Sequence, residues 1–547
     1  MPSRPRFQVS GFSFQVSCLL ILCLLTAACS RRETIVQAGN REQILHVGNG
    51  AEPESVDPQV VVAYFDQRLE AALFEGLCAC DEQSSTPVPG CAERWEMSPD
   101  GLTWTFHLRA GLKWSNGEAL TADDFVQSWR RNLAPAFASG YAYLLFPIKN
   151  AEAYNSGKLA DPAALGLAAP DALTVVIILE RPTPYLPILT STAPWYPVNP
   201  RVVAKYGALT DRANAWSRPG NLVGNGPFVL KEWTAGSRLT VTKNPLYWDA
   251  AAVRLNGIVF YPIENPDVEE RAFRAGQLHL TNSLPLSKIP VYRQQNPAQL
   301  RSELLLQTYF LRFNVTKPPF DNPKLRRALS LAVDRESISR NLLHGSRAPA
   351  DHFVPPQTAG YDSRTHVPTD FNEARRLLAE AGYPGGRGLP VIELQVRNDE
   401  FQPKVMEAIQ AMWQRELGVR ISIALLEGKV MIQNQQNLAF TLGANGWVAD
   451  FADPVTFLDV FVTGGGNSWT GWSDARYDEL IAEAARTLDP KRRYEVFQQA
   501  EAILLEQAPI VPLVFGARNY LIDPAVKGWE PAAVGLYQYK KVYLQGP

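Results

Sequence analysis

The stretch from 391 to 448 places the strongest constraint on the fold. VIELQV (391–396) has the alternation of a strand. Val405, Ile409, Met412 and Trp413 then recur at helical spacing, and Gly418 fits the end of that helix. VRISIAL (419–425) and FTLGANGWV (440–448) read as two more strands. Strands separated by a crossover helix pair in parallel, so an α/β fold with a parallel sheet is expected. Met412 and Trp413 are expected in its core.

The chain has 547 residues, too many for one hydrophobic core, so two or three domains are expected. The earlier half has a different texture. ILHVGNGAEPESVDP reads as a strand and a turn. In DGLTWTFHLRAGLKWSNGEALTADDF (100–125), Leu102, Trp104, Phe106 and Leu108 alternate with Thr103, Thr105 and His107, as in a half-buried strand with His107 on its polar face. Ser115-Asn116-Gly117 forms a turn, and Thr121 caps a helix whose first turn carries Asp123 and Asp124. Residues 323–338 and 372–383 are amphipathic helices, the second stopped at Gly382. The 42 prolines are scattered, which indicates a loop-rich fold, not a disordered one. A net charge of −2 without a basic block argues against nucleic-acid binding.

Arg4 and Arg6 precede the apolar run VSCLLILCLL, which is too short for a spanning helix and reads as a targeting signal. The run ends in LTAAC, which resembles a lipoprotein cleavage site with Cys29 as the acylated residue; the alternative is an ordinary signal peptide cut near Ala28. Cys18 and Cys23 leave with the signal, so Cys78, Cys80 and Cys91 remain. An oxidising compartment favours a bridge, expected as Cys80–Cys91 slightly ahead of Cys78–Cys91. Three sulfurs without a nearby histidine make a poor zinc set.

Catalytic motifs are missing from the sequence: H-E-x-x-H, G-x-S-x-G and C-x-x-C do not occur. The six histidines are dispersed, none at metal-ligand spacing with another. TGGGNS (463–468) lacks the Lys and Ser/Thr of a phosphate loop, so a surface loop is expected. Asp450 and Asp453 could be imagined as the acid and base of a glycosidase, but Asp453 precedes Pro454 and reads as a turn residue. No enzyme activity, cofactor or metal is expected.

A series of long segments in fixed order resembles the family 5 extracytoplasmic solute-binding proteins, which serve ABC importers. These are SVDP (55–58), LFEGL (73–77), WEMSPDGLTWTFHLRAGLKWSNGEALTADDFVQSWRR (95–131), NGPFVLKEW (225–233), NPLYWDA (244–250), KPPFDNPKLRRALSLAVDRE (317–336) and GWVADFADPVTFL (446–458). The pattern is most similar to the oligopeptide-binding branch. The resemblance implies an α/β, two-lobed periplasmic-binding-protein fold (type II, large peptide-binding class) with an extra subdomain inserted in the N-terminal lobe. The implied division is 1–28 signal peptide, 29–37 tether, 38–74 with 203–306 and 516–547 as lobe I, 75–202 as the inserted subdomain and 307–515 as lobe II.

The resemblance also implies site residues. Asp450 would pair with the α-ammonium of a peptide, and Gly446 and Val448 would bind its backbone as an added strand. Val62 and Tyr64, in VVVAY, would do the same from the first lobe. Trp447 and Tyr143 would line side-chain pockets, though as strand aromatics either could be lobe core. At the peptide's carboxylate end, where relatives commonly set basic residues, the matching positions hold Ser330, Gln402, Gln435 and Ala444. No buried charge is therefore expected to read that end. The implied partners are an oligopeptide and an inner-membrane ABC permease, with a membrane reached through a lipid anchor on a monomeric protein at the periplasmic or outer cell surface. The alternatives are a non-peptide solute such as a metal chelate, haem or cell-wall fragment, or an extracytoplasmic hydrolase.

Overall fold

The computed structural model describes residues 33–60, 64–399, 401–535 and 537–546, together with Met1 and Ser3. Cys29 and Val62 lie outside the described residues. Among these residues no helix is long and apolar enough to cross a membrane.

The predicted α/β region forms as read, with one addition. Ile392–Arg397 and Ile421–Leu426 pair in parallel, from Ile392 opposite Ile421 to Arg397 opposite Leu426. Helix Gln402–Leu417 connects them, buries Val405, Ile409, Met412 and Trp413, and ends on Gly418 at φ 69°, a left-handed conformation that suits glycine. The sheet is mixed, not purely parallel. Its order is 421–426, 392–397, 442–448, 300–313, 510–521, and the last two strands join antiparallel.

Two further four-stranded sheets come from other parts of the chain. Ile44–Gly48 lies parallel to Gly257–Tyr261, followed by Arg238–Lys243 and Phe228–Thr234. The other sheet is antiparallel, in the order 92–97, 103–108, 174–178, 167–171. On Thr103–Leu108, Trp104, Phe106 and Leu108 are buried, as the alternation predicts. Helix Ala122–Leu133 follows, its start fixed by Asp124, whose carboxylate accepts the Thr121 N–H at 2.9 Å. Trp129 on this helix is fully buried and donates to the Trp195 carbonyl at 2.9 Å.

Two long strands, Leu300–Phe313 and Ile510–Leu521, run together from one region of the molecule to another. Their register breaks twice, between Leu304 opposite Ala517 and Thr308 opposite Phe515, and again between Tyr309 opposite Val514 and Phe310 opposite Pro512. The first break is the wider. A bulge bends a strand pair locally. Gly516 lies opposite the first break, and a Cβ there would come within 2.5 Å of Gln307 Cβ, so glycine is required by close approach.

The expected Cys80–Cys91 bridge is not formed. Cys78, Cys80 and Cys91 are free and buried. The register explains this. Cys78 pairs with Pro89 and Cys80 with Pro87 in a short hairpin. Cys91 lies beyond the hairpin's end, bonded through its N–H to the Gly76 carbonyl at 3.0 Å. At about 3.3 Å per residue, Cys80 and Cys91 stand far beyond bridging distance. The Cys91 thiol instead meets Asn225 Nδ2 at 3.3 Å and the Glu75 carboxylate at 3.7 Å. Burial pushes the Cys78 and Cys80 thiols up to about 12, so all three are poor nucleophiles.

Candidate functional site

Strand Leu442–Val448 is where the sheet and the cleft meet. Its pairing with Leu300–Phe313 is complete, from Phe313 opposite Leu442 to Gln307 opposite Val448. Its pairing with Ile392–Arg397 covers only Leu442 and Gly443. From Ala444 onward, that second edge carries no strand. The Gly446 N–H there is held by its neighbour's side chain, Asn445 Oδ1, at 2.7 Å, and the Ala444 carbonyl by Gln435 Nε2 at 3.3 Å. Gly446 and Val448 therefore stand on an open sheet edge, with Val448 exposed.

The strand leads into Asp450. Thr456, in the short helix Val455–Leu458, fixes both ends of the turn: its carbonyl accepts the Trp447 indole N–H at 2.6 Å, and its hydroxyl accepts the Asp450 N–H at 3.3 Å. Across the cleft, Tyr143 donates its hydroxyl to Asp450 Oδ2 at 3.0 Å. Tyr143 sits on the 3₁₀ turn Ala142–Leu145, not on a strand, and is partly exposed. Tyr185 stacks on Phe451 at 5.1 Å beside it.

Two cavities flank this pair, of about 670 Å³ and about 420 Å³. Tyr143, Trp447, Asp450 and Phe451 line both. The larger continues past Asp459 and Arg181 to the glycine loop at Gly465 and Gly466; the smaller reaches Ile188, Ala193 and Val534. Asp450 keeps some accessible surface, but the cleft walls strip it of water and push its pKa up to about 6, against the Tyr143 hydrogen bond, which lowers it. Asp459 faces the larger cavity. The surrounding protein and the Asp450 charge push it up to about 7. Two carboxylates thus share a cleft, and among the described residues neither makes a salt bridge. Such a site favours a cation.

Asp453 has a separate role. It forms a buried, two-pronged ion pair with Arg493, both contacts at 2.7 Å, and accepts the Val455 N–H at 2.9 Å. It is not a second acid facing the cleft, so the glycosidase geometry does not arise.

The remaining predicted residues are placed as follows. Tyr64 opens helix Tyr64–Leu73 instead of ending an extended run. Ser330 is buried in helix Pro323–Leu331, where its carbonyl accepts from Arg335. Gln402 begins the crossover helix. Ala444 and Gln435 adjoin one another through the 3.3 Å bond above. Gln435 also meets a residue that the sequence reading missed: Arg312 Nη1, at 3.5 Å from Gln435 Oε1. Arg312 is 1% exposed, stacked between the Phe310 and Trp469 rings, and burial lowers its pKa to about 9. A charged residue inside the apolar run YFLRF was the available signal.

An open sheet edge, a cleft floored by a carboxylate and lobes tied by long strands define a solute-binding protein. Residues 86–469 match the family described as bacterial extracellular solute-binding proteins, family 5 Middle, and the chain belongs to that family. It is 33% identical to the probable deoxycholate-binding periplasmic protein YgiS of Escherichia coli K12, over 92% of this chain and 94% of YgiS. It is 32% identical to the periplasmic oligopeptide-binding protein OppA of Salmonella typhimurium, over 93% of this chain and 94% of that protein. Among solved structures, the unliganded open form of the periplasmic murein tripeptide-binding protein MppA superposes with a TM-score of 0.81 at 32% identity, covering 92% of this chain and 97% of MppA.

Proposed function

We propose that the protein captures oligopeptides between two lobes and delivers them to an ABC importer, without catalysing a reaction. The observation that carries this reading is Asp450: a desolvated carboxylate whose one side-chain partner among the described residues is a tyrosine hydroxyl, next to an open strand edge. A peptide supplies both missing partners. Its α-ammonium pairs with Asp450, and its backbone adds a strand along Gly446 and Val448. Backbone bonds are blind to side chains, so specificity is broad.

Lobe I comprises 38–74, 203–306 and 516–547, the inserted subdomain 75–202, and lobe II 307–515. The three main sheets support this division, and the register break opposite Gly516 suits a hinge. The chain reaches the bacterial envelope as a lipoprotein anchored at Cys29 and works there as a monomer.

Calorimetry with matched peptides tests the site. Free-amine peptides are expected to bind, and their N-acetylated forms to bind poorly. Equal affinity for both forms would remove Asp450 from its role. A second reading has one observation in its favour, the printed ligand of YgiS, deoxycholate. The smaller cavity, with Ile188, Ala193, Pro194 and Val534, would take such an apolar body. Deoxycholate binding with no peptide binding in the same calorimeter would select it.

A further inference from the structure

Away from the cleft, one surface cluster gathers metal-ligating side chains. Asp351, His352 and His366 bring three donor atoms within 4.8 Å of one another. Asp351 Oδ1 lies 2.6 Å from His352 Nδ1, and Asp351 Oδ2 lies 3.2 Å from His366 Nδ1. The two imidazole rings stand perpendicular, with centroids 5.2 Å apart. We infer that Asp351, His352 and His366 form a binding site for a zinc ion on the second lobe, independent of the peptide cleft.

Two imidazoles and one carboxylate suit zinc better than magnesium or calcium, which prefer oxygen ligands. Neighbouring ligand atoms around tetrahedral zinc stand roughly 3.3 Å apart, given bonds of about 2.0–2.1 Å. The Asp351–His366 spacing already fits. The Asp351–His352 contact must open by roughly 0.7 Å, which one side-chain torsion can supply. His352 is held in place: it is 8% exposed, and its ring packs on Phe515 at 4.9 Å. His366 is exposed and can close on the ion. Each neutral imidazole carries one proton. With Nδ1 on the ion, that proton sits on Nε2. His352 Nε2 is buried without a partner already, so loading the ion creates no new unpaired group. Buried Arg335 feels the Asp351 charge, and its own positive charge tempers the affinity.

The placement gives the ion a structural consequence. Asp351 and His352 stand at one side of the neck of a loop and His366 at the other, and the Val367 N–H closes that neck on the Asp351 carbonyl at 2.7 Å. Inside the loop, Glu501 accepts from the Phe353 and Val354 N–H groups and from the Tyr361 hydroxyl. A bound ion would pin the neck and hold the loop closed.

Titration of the metal-stripped full chain with zinc chloride tests the site. One zinc is expected to bind, and magnesium is expected not to compete. His366→Ala and Asp351→Asn should each weaken zinc at least tenfold while leaving peptide binding unchanged. Hydrogen exchange of residues 353–365 should slow with zinc in the wild type only. Absence of zinc binding would overturn the site. So would unaltered binding in both variants, which would place the ion elsewhere on the chain. Because peptide affinity is read separately, failure here is distinct from failure of the peptide-binding role.

Discussion

Asp450 and Asp453 lie on one turn, three residues apart in sequence, in opposite electrostatic circumstances. Asp453 is closed in with Arg493, the two side chains only 6% and 5% exposed. Asp450 stands in a cleft with a tyrosine hydroxyl as partner and, among the described residues, no salt bridge. A carboxylate with its counter-charge built in serves the fold. One whose counter-charge is missing serves whatever arrives. The two residues should therefore separate in experiments, one in stability and the other in binding.

The largest effect is expected at the closed pair. Arg493→Met leaves Asp453 buried and unpaired, which should destabilise the protein by about 3–5 kcal/mol. Chemical denaturation measures it; a loss below about 1 kcal/mol would mean that water reaches Asp453. Asp450→Ala should do the reverse. Stability should not fall, and should rise at neutral pH, because the cost of holding an ionised carboxylate in the cleft is removed. Affinity for free-amine peptides should fall by about 3 kcal/mol. If Asp450→Ala unfolds the protein as readily as Arg493→Met, the contrast fails.

The contrast was partly legible in the sequence. The GWVAD segment marked Asp450, and the Pro after Asp453 marked a turn. Neither Arg493 nor Tyr143 could be assigned as a partner, because both lie far away in sequence and folding alone brings them to the turn. The parallel strands of 391–448 were legible because their periodicity is local. The antiparallel strands beside them, 300–313 and 510–521, were not, since their pairing spans some two hundred residues. The cysteines show the opposite hazard. Cys80 and Cys91 are close in sequence, yet the register of a three-residue hairpin sets them apart.

Acidification sharpens the comparison at Asp450. Its folded pKa of about 6 lies above the ordinary 3.8. A raised carboxyl pKa contributes stability that is fully present below about pH 3.8 and is lost as pH rises through about 6. Ligand-free wild type should therefore lose stability relative to Asp450→Asn between those values. A peptide ammonium reverses the preference, because it binds the carboxylate. Its affinity should fall by about tenfold between pH 7 and pH 5, one unit below that pKa. Asp459 lies in the same cavity and its pKa is raised as well, so the profile is best measured in an Asp459→Asn background. A flat profile in that background would show that Asp450 is not the group facing the ammonium.

The smallest effect is expected at the ligand's other end. Ser330, Gln402, Gln435 and Ala444 offer it no charge. Arg312 is a cation 3.5 Å from Gln435, but it is 1% exposed and packed against the Trp469 ring. A peptide carboxylate enclosed without a cation would suffer an uncompensated desolvation cost. The far end of the ligand should thus stay solvated or meet neutral hydrogen bonds, and peptide amides should bind within tenfold of the free acids, a difference below about 1.4 kcal/mol. Arg312 makes the alternative specific. If acids prove more than tenfold tighter, Arg312→Gln should abolish that preference while leaving the free-amine requirement intact, and Trp469 must then have swung aside to admit the carboxylate. A preference that survives Arg312→Gln would point to a cation elsewhere in the closed cleft and would leave Asp450 as the one charged contact located here.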